Sequence, residues 1–337
     1  MRRRDFLTTT GSLLASLSIV GQLEAQVRHN YELDFGWADV PEAKQRFLSA
    51  NQAPLASDHD RIIRGVSSGK VVKLWKNWEA ASGQKFIPHR QETSDCVGQA
   101  GGLGIEITNA SEIVNGEPEL WAGKQSTEFL YIASRIEIGR GQLRTGGASI
   151  AWLAQVVQRY GSLPRGNYPG FNVSKYNPEL ADSLSKHKPL LGPVPEGVPK
   201  HIELIAAQHK LKAILVDHGF DQACDFMQAG HPVVIGSDVG YDPQADSDGF
   251  LIADGRIWRH ALLLCGFDRE SRRQGGCFAN SWGLNWTTGP IHKHGVIPGG
   301  FWADRKSVEK MLSRGDSYAF ISYEGIKKPK TDYLLLG

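Results

Sequence analysis

The constraint that most limits how this chain can fold lies between residues 258 and 286. It reads WRHALLLCGFD, then a polar turn RESRRQGG, then CFANSWGLNW. Two apolar, strand-like arms around a charged, glycine-containing turn predict a β-hairpin. Centring the turn on Ser271 sets Cys265 opposite Cys277, Leu262 opposite Asn280 and His260 opposite Trp282. Opposed residues share a face, so His260, Asn280 and Trp282 project together, and any even register shift preserves this. A carboxamide beside an imidazole can accept from one ring nitrogen and leave the other for chemistry. By itself such a pair is more often structural than catalytic, so the reading depends on a nucleophile elsewhere.

A nucleophile is present far upstream, in PHRQETSDCVGQAGGLGIEITNASEIVNG. Ser94 and Asp95 are helix N-cap residue types, and Val97, Gly101, Gly104, Ile105 and Thr108 share one helical face. Small residues on that face let the helix press against another layer. Cys96 therefore falls in the first turn, where unpaired N–H groups and the helix dipole favour a thiolate. Asp95 beside it pushes the other way.

Taken together, the two stretches resemble the papain-like cysteine peptidases. In that family a Gln precedes a nucleophilic Cys at a helix start, a His opens a late strand, and Asn-Ser-Trp-Gly follows on the next. Gln91, Cys96, His260 and residues 280–283 stand in that order here. STEFLYIASRI, opening at Ser126, reads as a second helix. RTGGASIAWLAQVVQRYGSLPRGNYPG resembles the family's Gly-Gly segment, next helix and Tyr-Pro turn, with Ile150, Leu153, Val157 and Tyr160 as its core stripe. The resemblance covers roughly residues 86–325.

It implies an α+β fold of two lobes, a helical lobe and a β-barrel-like lobe with a cleft between them. It further implies Cys96 as nucleophile, His260 as general base and acid, and Asn280 orienting His260 with Trp282 shielding that bond. Gln91 and the Cys96 N–H would form the oxyanion hole. Gly146 and Gly147, with Trp282, would hold an extended peptide or protein substrate. No metal or organic cofactor is implied. Two departures stand out: Gln91 is one residue closer to Cys96 than in the family, and Val97 replaces the usual Trp.

The remaining chain fits this frame. Residues 26–85 read as an N-terminal extension or short pro-segment, although the family's helical pro-segment motif is not visible. Residues 86–190 would form the helical lobe and 191–330 the β lobe, with proline-rich SKHKPLLGPVPEGVPK between them. KLKAILV and HPVVIGSDV read as strands and DQACDFMQAG as a helix. Asp242, Asp246 and Asp248 make an incomplete calcium pattern and read as a solvated loop, and His292 and His294 as surface residues.

Residues 1–25 read as a targeting signal. Arg2, Arg3 and Arg4 precede a short, moderately apolar run, and RRDFL resembles the twin-arginine export signal. That implies a bacterial protein delivered folded by the twin-arginine machinery to the periplasm or beyond. The run is too short and polar for stable membrane insertion. In that compartment the four cysteines could bridge, and Cys265 with Cys277 is a conceivable pair. With 337 residues, 41% hydrophobic, 22% charged and a net charge of +2 without a basic stripe, the chain suits a soluble globular protein, expected to be monomeric. Nucleic acid is not an expected partner. Two other functions share these residues: a thiol-dependent amidase or transglutaminase-like acyl transferase, and a catalytically silent peptide-binding module.

Overall fold

The computed structural model describes residues 36–49, 71–187 and 192–327. The signal segment, the first part of the extension and the DHDRIIR run lie outside the described residues. Within the unit 36–337 the chain begins with helix α1 (Pro41–Ser49), which carries Pro at its first position and buries Ala43 and Phe47. Residues 71–82 of the N-terminal extension build strand β1 (Val71–Lys73) and helix α2 (Trp75–Ser82), which ends at left-handed Gly83.

Helix α3 (Cys96–Val114) is the central element and is buried from Cys96 through Ser111. Its glycines explain how. A Cβ on Gly98 would lie 2.4 Å from the Thr127 carbonyl oxygen, and one on Gly101 would lie 2.7 Å from Leu153. On Gly104 it would meet Val234 and Phe320 at 3.1–3.2 Å. Each interior glycine costs about 1 kcal/mol of helix propensity. Here the cost is offset by backbone-close packing against helices on one side and the sheet on the other.

Strand β2 (Glu119–Leu120) follows, then helix α4 (Thr127–Ala133), whose cap Ser126 accepts from the Phe129 N–H and which runs on into a π turn, Ser134–Ile138. Helix α5 (Ile150–Arg159) is capped by Ser149 and buries its predicted stripe except for Tyr160, which is half-buried just past its end. Strands β3 (Asn167–Tyr168) and β4 (Phe171–Asn172) form a small hairpin, followed by helices α6 (Pro178–Ser185) and α7 (Lys200–Ala206) flanking the proline-rich segment.

The second lobe comprises strand β5 (Lys212–Leu215), helix α8 (Gly219–Gln228), strands β6 (Val233–Tyr241), β7 (Phe250–Leu251), β8 (Ala253–Asp268), β9 (Gly275–Ala279) and β10 (Phe301–Asp304), helix α9 (Arg305–Leu312) and strand β11 (Ser317–Ile321). The sheet order is β5-β11-β6-β8-β9-β10-β7, with β1 also paired to β8. Strand β12 (Ile326–Lys327) returns to pair with β2. The result is the two-lobed α+β architecture, with α3 packed across the long strand β8.

The β8–β9 hairpin has the expected register at its working end: Leu263 opposes Ala279 and Leu264 opposes Phe278. A bulge then shifts the pairing by one, so Gly266 rather than Cys265 opposes Cys277. Cys265 and Cys277 are both free thiols, as are Cys96 and Cys224, and all four are buried. Two surface expectations are corrected. His292 is buried and stacks on Trp302 at 4.1 Å, because its ring closes the apolar floor beneath β10. His294 is half-buried and pairs with Asp268 at 2.9 Å. The acidic loop satisfies itself: Asp246 accepts from the Phe250 N–H and pairs with Arg273.

Candidate active site

Helix α3 and strand β8 bring Cys96 and His260 into one buried site. The Ala261 N–H donates to Cys96 Sγ at 3.2 Å, so the sulfur sits one residue from the imidazole. His260 Nε2 lies 2.8 Å from Asn280 Oδ1. That oxygen also accepts the Ser281 N–H at 2.8 Å, which fixes the amide's orientation. An amide oxygen only accepts, so Nε2 carries the proton. The neutral ring therefore keeps its lone pair on Nδ1, which is buried and has no hydrogen-bond partner among the described residues. Trp282 stacks on the imidazole at 4.2 Å with 21° between planes. Trp258 and Trp286 pack edge-on against Trp282, making an indole wall over the His260–Asn280 bond.

Asp95 occupies the N-cap position of α3, but its side chain does not cap. Its carboxylate turns aside, accepting from Gln99 Nε2 at 2.7 Å and the Tyr176 hydroxyl at 3.0 Å. The first-turn N–H groups of α3 are thus left to the site. Burial pushes the Asp95 carboxyl up to about 7.

Gln91 is drawn toward the hairpin. Its N–H and side-chain oxygen bond to Ser281, the latter at 2.6 Å, and its Nε2 donates to the Thr93 carbonyl at 2.9 Å. The side-chain donor is committed to its own loop, in keeping with the short Gln-to-Cys spacing. Gly146 and Gly147 lie beside the site, held by a buried guanidinium. Arg135 donates to the carbonyls of Gly147, Thr145, Leu143 and Ser185. The Gly147 N–H donates to the Tyr131 hydroxyl, so both of its backbone groups are engaged. The next residue, Ala148, also presents a backbone edge.

That edge is occupied by the chain itself. The Ala148 N–H donates to the Gly36 carbonyl, the Ala38 N–H to the Ala148 carbonyl, and the Trp37 N–H to the Arg259 carbonyl. The Trp37–Ala148 bridge is parallel. Residues 36–38 thus form a strap between the two lobes, directly over the nucleophile. A Cβ on Gly36 would stand 2.6 Å from Cys96 Sγ, so only glycine fits there. Besides the Ala261 N–H, the Gly36 and Val97 N–H groups favour a negative sulfur.

The strap reverses one electrostatic expectation. Burial pushes the Cys96 thiol up, and neighbouring Asp95 adds to the effect despite the three N–H groups. Burial likewise pushes His260 down to about 4, against the Asn280 bond. In this form burial keeps the pair as a neutral thiol and a neutral imidazole. Gly36, Trp37, Ala148 and Arg135 escaped sequence reasoning. Their roles rest on contacts between distant segments, and only the amphipathic PEAKQRFLS following the strap gave a local signal.

A two-lobed α+β body, a cysteine at the start of its central helix and a His–Asn pair on the facing hairpin define the papain-like fold. Xylellain, a cysteine protease from Xylella fastidiosa, has a similar structure, with a TM-score of 0.52 and 18% identity over 78% of this chain and 88% of its own. Digestive procathepsin L2 from Tenebrio molitor larval midgut gives a TM-score of 0.49 at 16% identity, over 94% of this chain and 95% of its own. No protein-family model and no curated protein sequence matches the chain. Among the described residues no helix is long and apolar enough to cross a membrane, and no group of three or more His, Cys, Asp or Glu side chains is gathered as for a metal ion.

Proposed function

We propose that this protein is a cysteine-type peptidase, held latent in the form described by the strap at residues 36–38. The observation that carries the reading is the fixed polarity of the His260–Asn280 pair beside Cys96: one ring nitrogen is oriented and the other is left as a base. Once the strap is displaced, His260 takes the Cys96 proton and the thiolate attacks a peptide carbonyl. The tetrahedral oxyanion is met by the first-turn N–H of Cys96, with Gln91 contributing only if it releases Thr93. Protonated His260 then delivers its proton to the leaving amine, and water clears the thioester. A peptide or protein substrate pairs with Ala148 as the strap does now.

The Gly36 N–H of the strap favours a negative sulfur, and the Gly36 carbonyl is taken by the Ala148 N–H. The RRDFL signal supports export through the twin-arginine machinery to the periplasm or beyond, where activation would remove the strap. The test compares the full chain with strap-cleaved protein on a peptide library, with Cys96→Ala as control. Hydrolysis that rises on strap cleavage and vanishes in Cys96→Ala is expected. Hydrolysis that survives in Cys96→Ala would sink the assignment.

A further inference from the structure

The strap places a tryptophan in a pocket whose chemistry is unusually specific. Trp37 is buried next to the residue that covers the nucleophile. Its indole lies on Gly236 of β6, where a Cβ would stand 2.1 Å from Nε1. The bare backbone of that glycine makes a flat floor for the ring. At the end of the pocket, Trp37 Nε1 donates to Asp316 Oδ2 at 2.7 Å.

Asp316 is fully buried and otherwise well met. Oδ2 also accepts from the Ser149 hydroxyl at 3.1 Å and the Ile150 N–H at 3.0 Å, and Oδ1 accepts from the Ala151 N–H at 2.9 Å. The start of α5 thus already compensates the carboxylate's charge. What the pocket lacks once the strap leaves is one neutral donor on a flat aromatic frame, rather than a cation.

Resting on the peptidase reading above, we propose that Asp316 and Gly236 are specificity-determining residues that make this pocket select an indole side chain in the substrate. A phenyl ring fills the floor but leaves Asp316 Oδ2 short of a donor. A guanidinium brings a charge whose desolvation the site does not need to incur. The strap and a preferred substrate then compete for the same two features.

The experiment uses the full chain carrying Gly36→Leu and Trp37→Ala, which lifts the strap from Cys96 and vacates the pocket. Peptides with Trp, Phe or Arg at each position preceding the cut bond are compared by kcat/KM. Trp is expected to exceed Phe by about tenfold at one position, the usual worth of a hydrogen bond to a charged group. Adding Asp316→Ala should erase that ratio. Because Asp316 also supports α5, Gly236→Ala serves as a second variant, and should lower Trp and Phe peptides together while sparing one with Ala there.

A preference for Arg, or equal rates for Trp and Phe, overturns the proposal while hydrolysis itself leaves the peptidase reading standing. Should no peptide be cleaved, binding of Gly-Trp-Ala-Asp-Val against Gly-Phe-Ala-Asp-Val to the same Gly36→Leu, Trp37→Ala protein, followed by calorimetry, decides the pocket separately. Weaker binding of the Phe peptide supports it, and equal binding rejects it.

Discussion

At the scale of single residues, the site depends on which atom holds a proton. Asn280 Oδ1 accepts from both His260 Nε2 and the Ser281 N–H, so Asn280→Ala removes the only polar contact that orients the imidazole among the described residues. Trp282 would still hold the ring plane by stacking, but not its rotation about that plane. In strap-cleaved protein the loss should fall on kcat, roughly tenfold or more, as part of the 10²–10⁴ that acid–base catalysis supplies. KM should change little. A folded Asn280→Ala enzyme with wild-type kcat would show that Asn280 does not set the ring.

At the scale of the elements, the proposed latency rests on the strap. Gly36 is the one strap residue whose replacement acts directly on the nucleophile, since any Cβ there meets both Cys96 Sγ and the Ser94 carbonyl within 2.7 Å. Gly36→Leu should lift the strap while α1 stays docked through Phe47 against Tyr318. Iodoacetamide labelling of Cys96 at neutral pH should rise at least tenfold over the intact chain, an energy difference of about 1.4 kcal/mol. Cys224, buried elsewhere, should remain unlabelled in both and gives the internal reference. Equal labelling of Cys96 in the two proteins would mean the strap does not guard it.

This contrast also explains what the sequence disclosed. The helix from Cys96, the helix from Ile150 and the working end of the hairpin are written in local periodicity, and each formed as expected. The bulge at Cys265 was hidden because one inserted residue leaves the apolar pattern of an all-buried strand unchanged. Arg135 was hidden because a buried arginine satisfied by carbonyls looks, in sequence, like any surface arginine. The strap was hidden for a further reason: Gly36 and Trp37 acquire meaning only against residues 60 to 280 positions away.

At the scale of the whole molecule, the proposed opening of the strap is tied to protons through His260. His260 is held near 4 by burial in the closed form, against about 6.5 for an exposed histidine. In the opened wild-type chain it takes its proton from Cys96, so opening leaves the number of bound protons unchanged. In Cys96→Ala no thiol supplies that proton, and between those values the open form takes one from solution that the closed form refuses. Closure of that variant is therefore weakened as pH falls from about 6.5 towards 4, by up to about 1.4 kcal/mol per pH unit. Asp316, raised by burial, has the opposite sign, since a raised carboxyl favours closure in acid, and Ser149 and the start of α5 keep it bonded whether or not Trp37 is present. Asp95 lies beneath the site with Gln99 and Tyr176 rather than under the strap. Hydrogen exchange in residues 36–38 of Cys96→Ala should accelerate as pH is lowered through this window, after correction for intrinsic rates, while that of the wild-type chain should not. Adding His260→Gln should flatten the response, and an unchanged slope in that double variant would assign the effect elsewhere.

The four buried, unbridged sulfurs bear on the order of events in the protein's life. Each thiol is covered by packing alone, so the body reaches its final form without an oxidant. A chain of this kind can finish folding in a reducing compartment, with its active centre already closed over, before meeting any membrane. Under the latency proposed above, one irreversible cut would then be enough for maturation, and its moment would decide where the peptidase first acts.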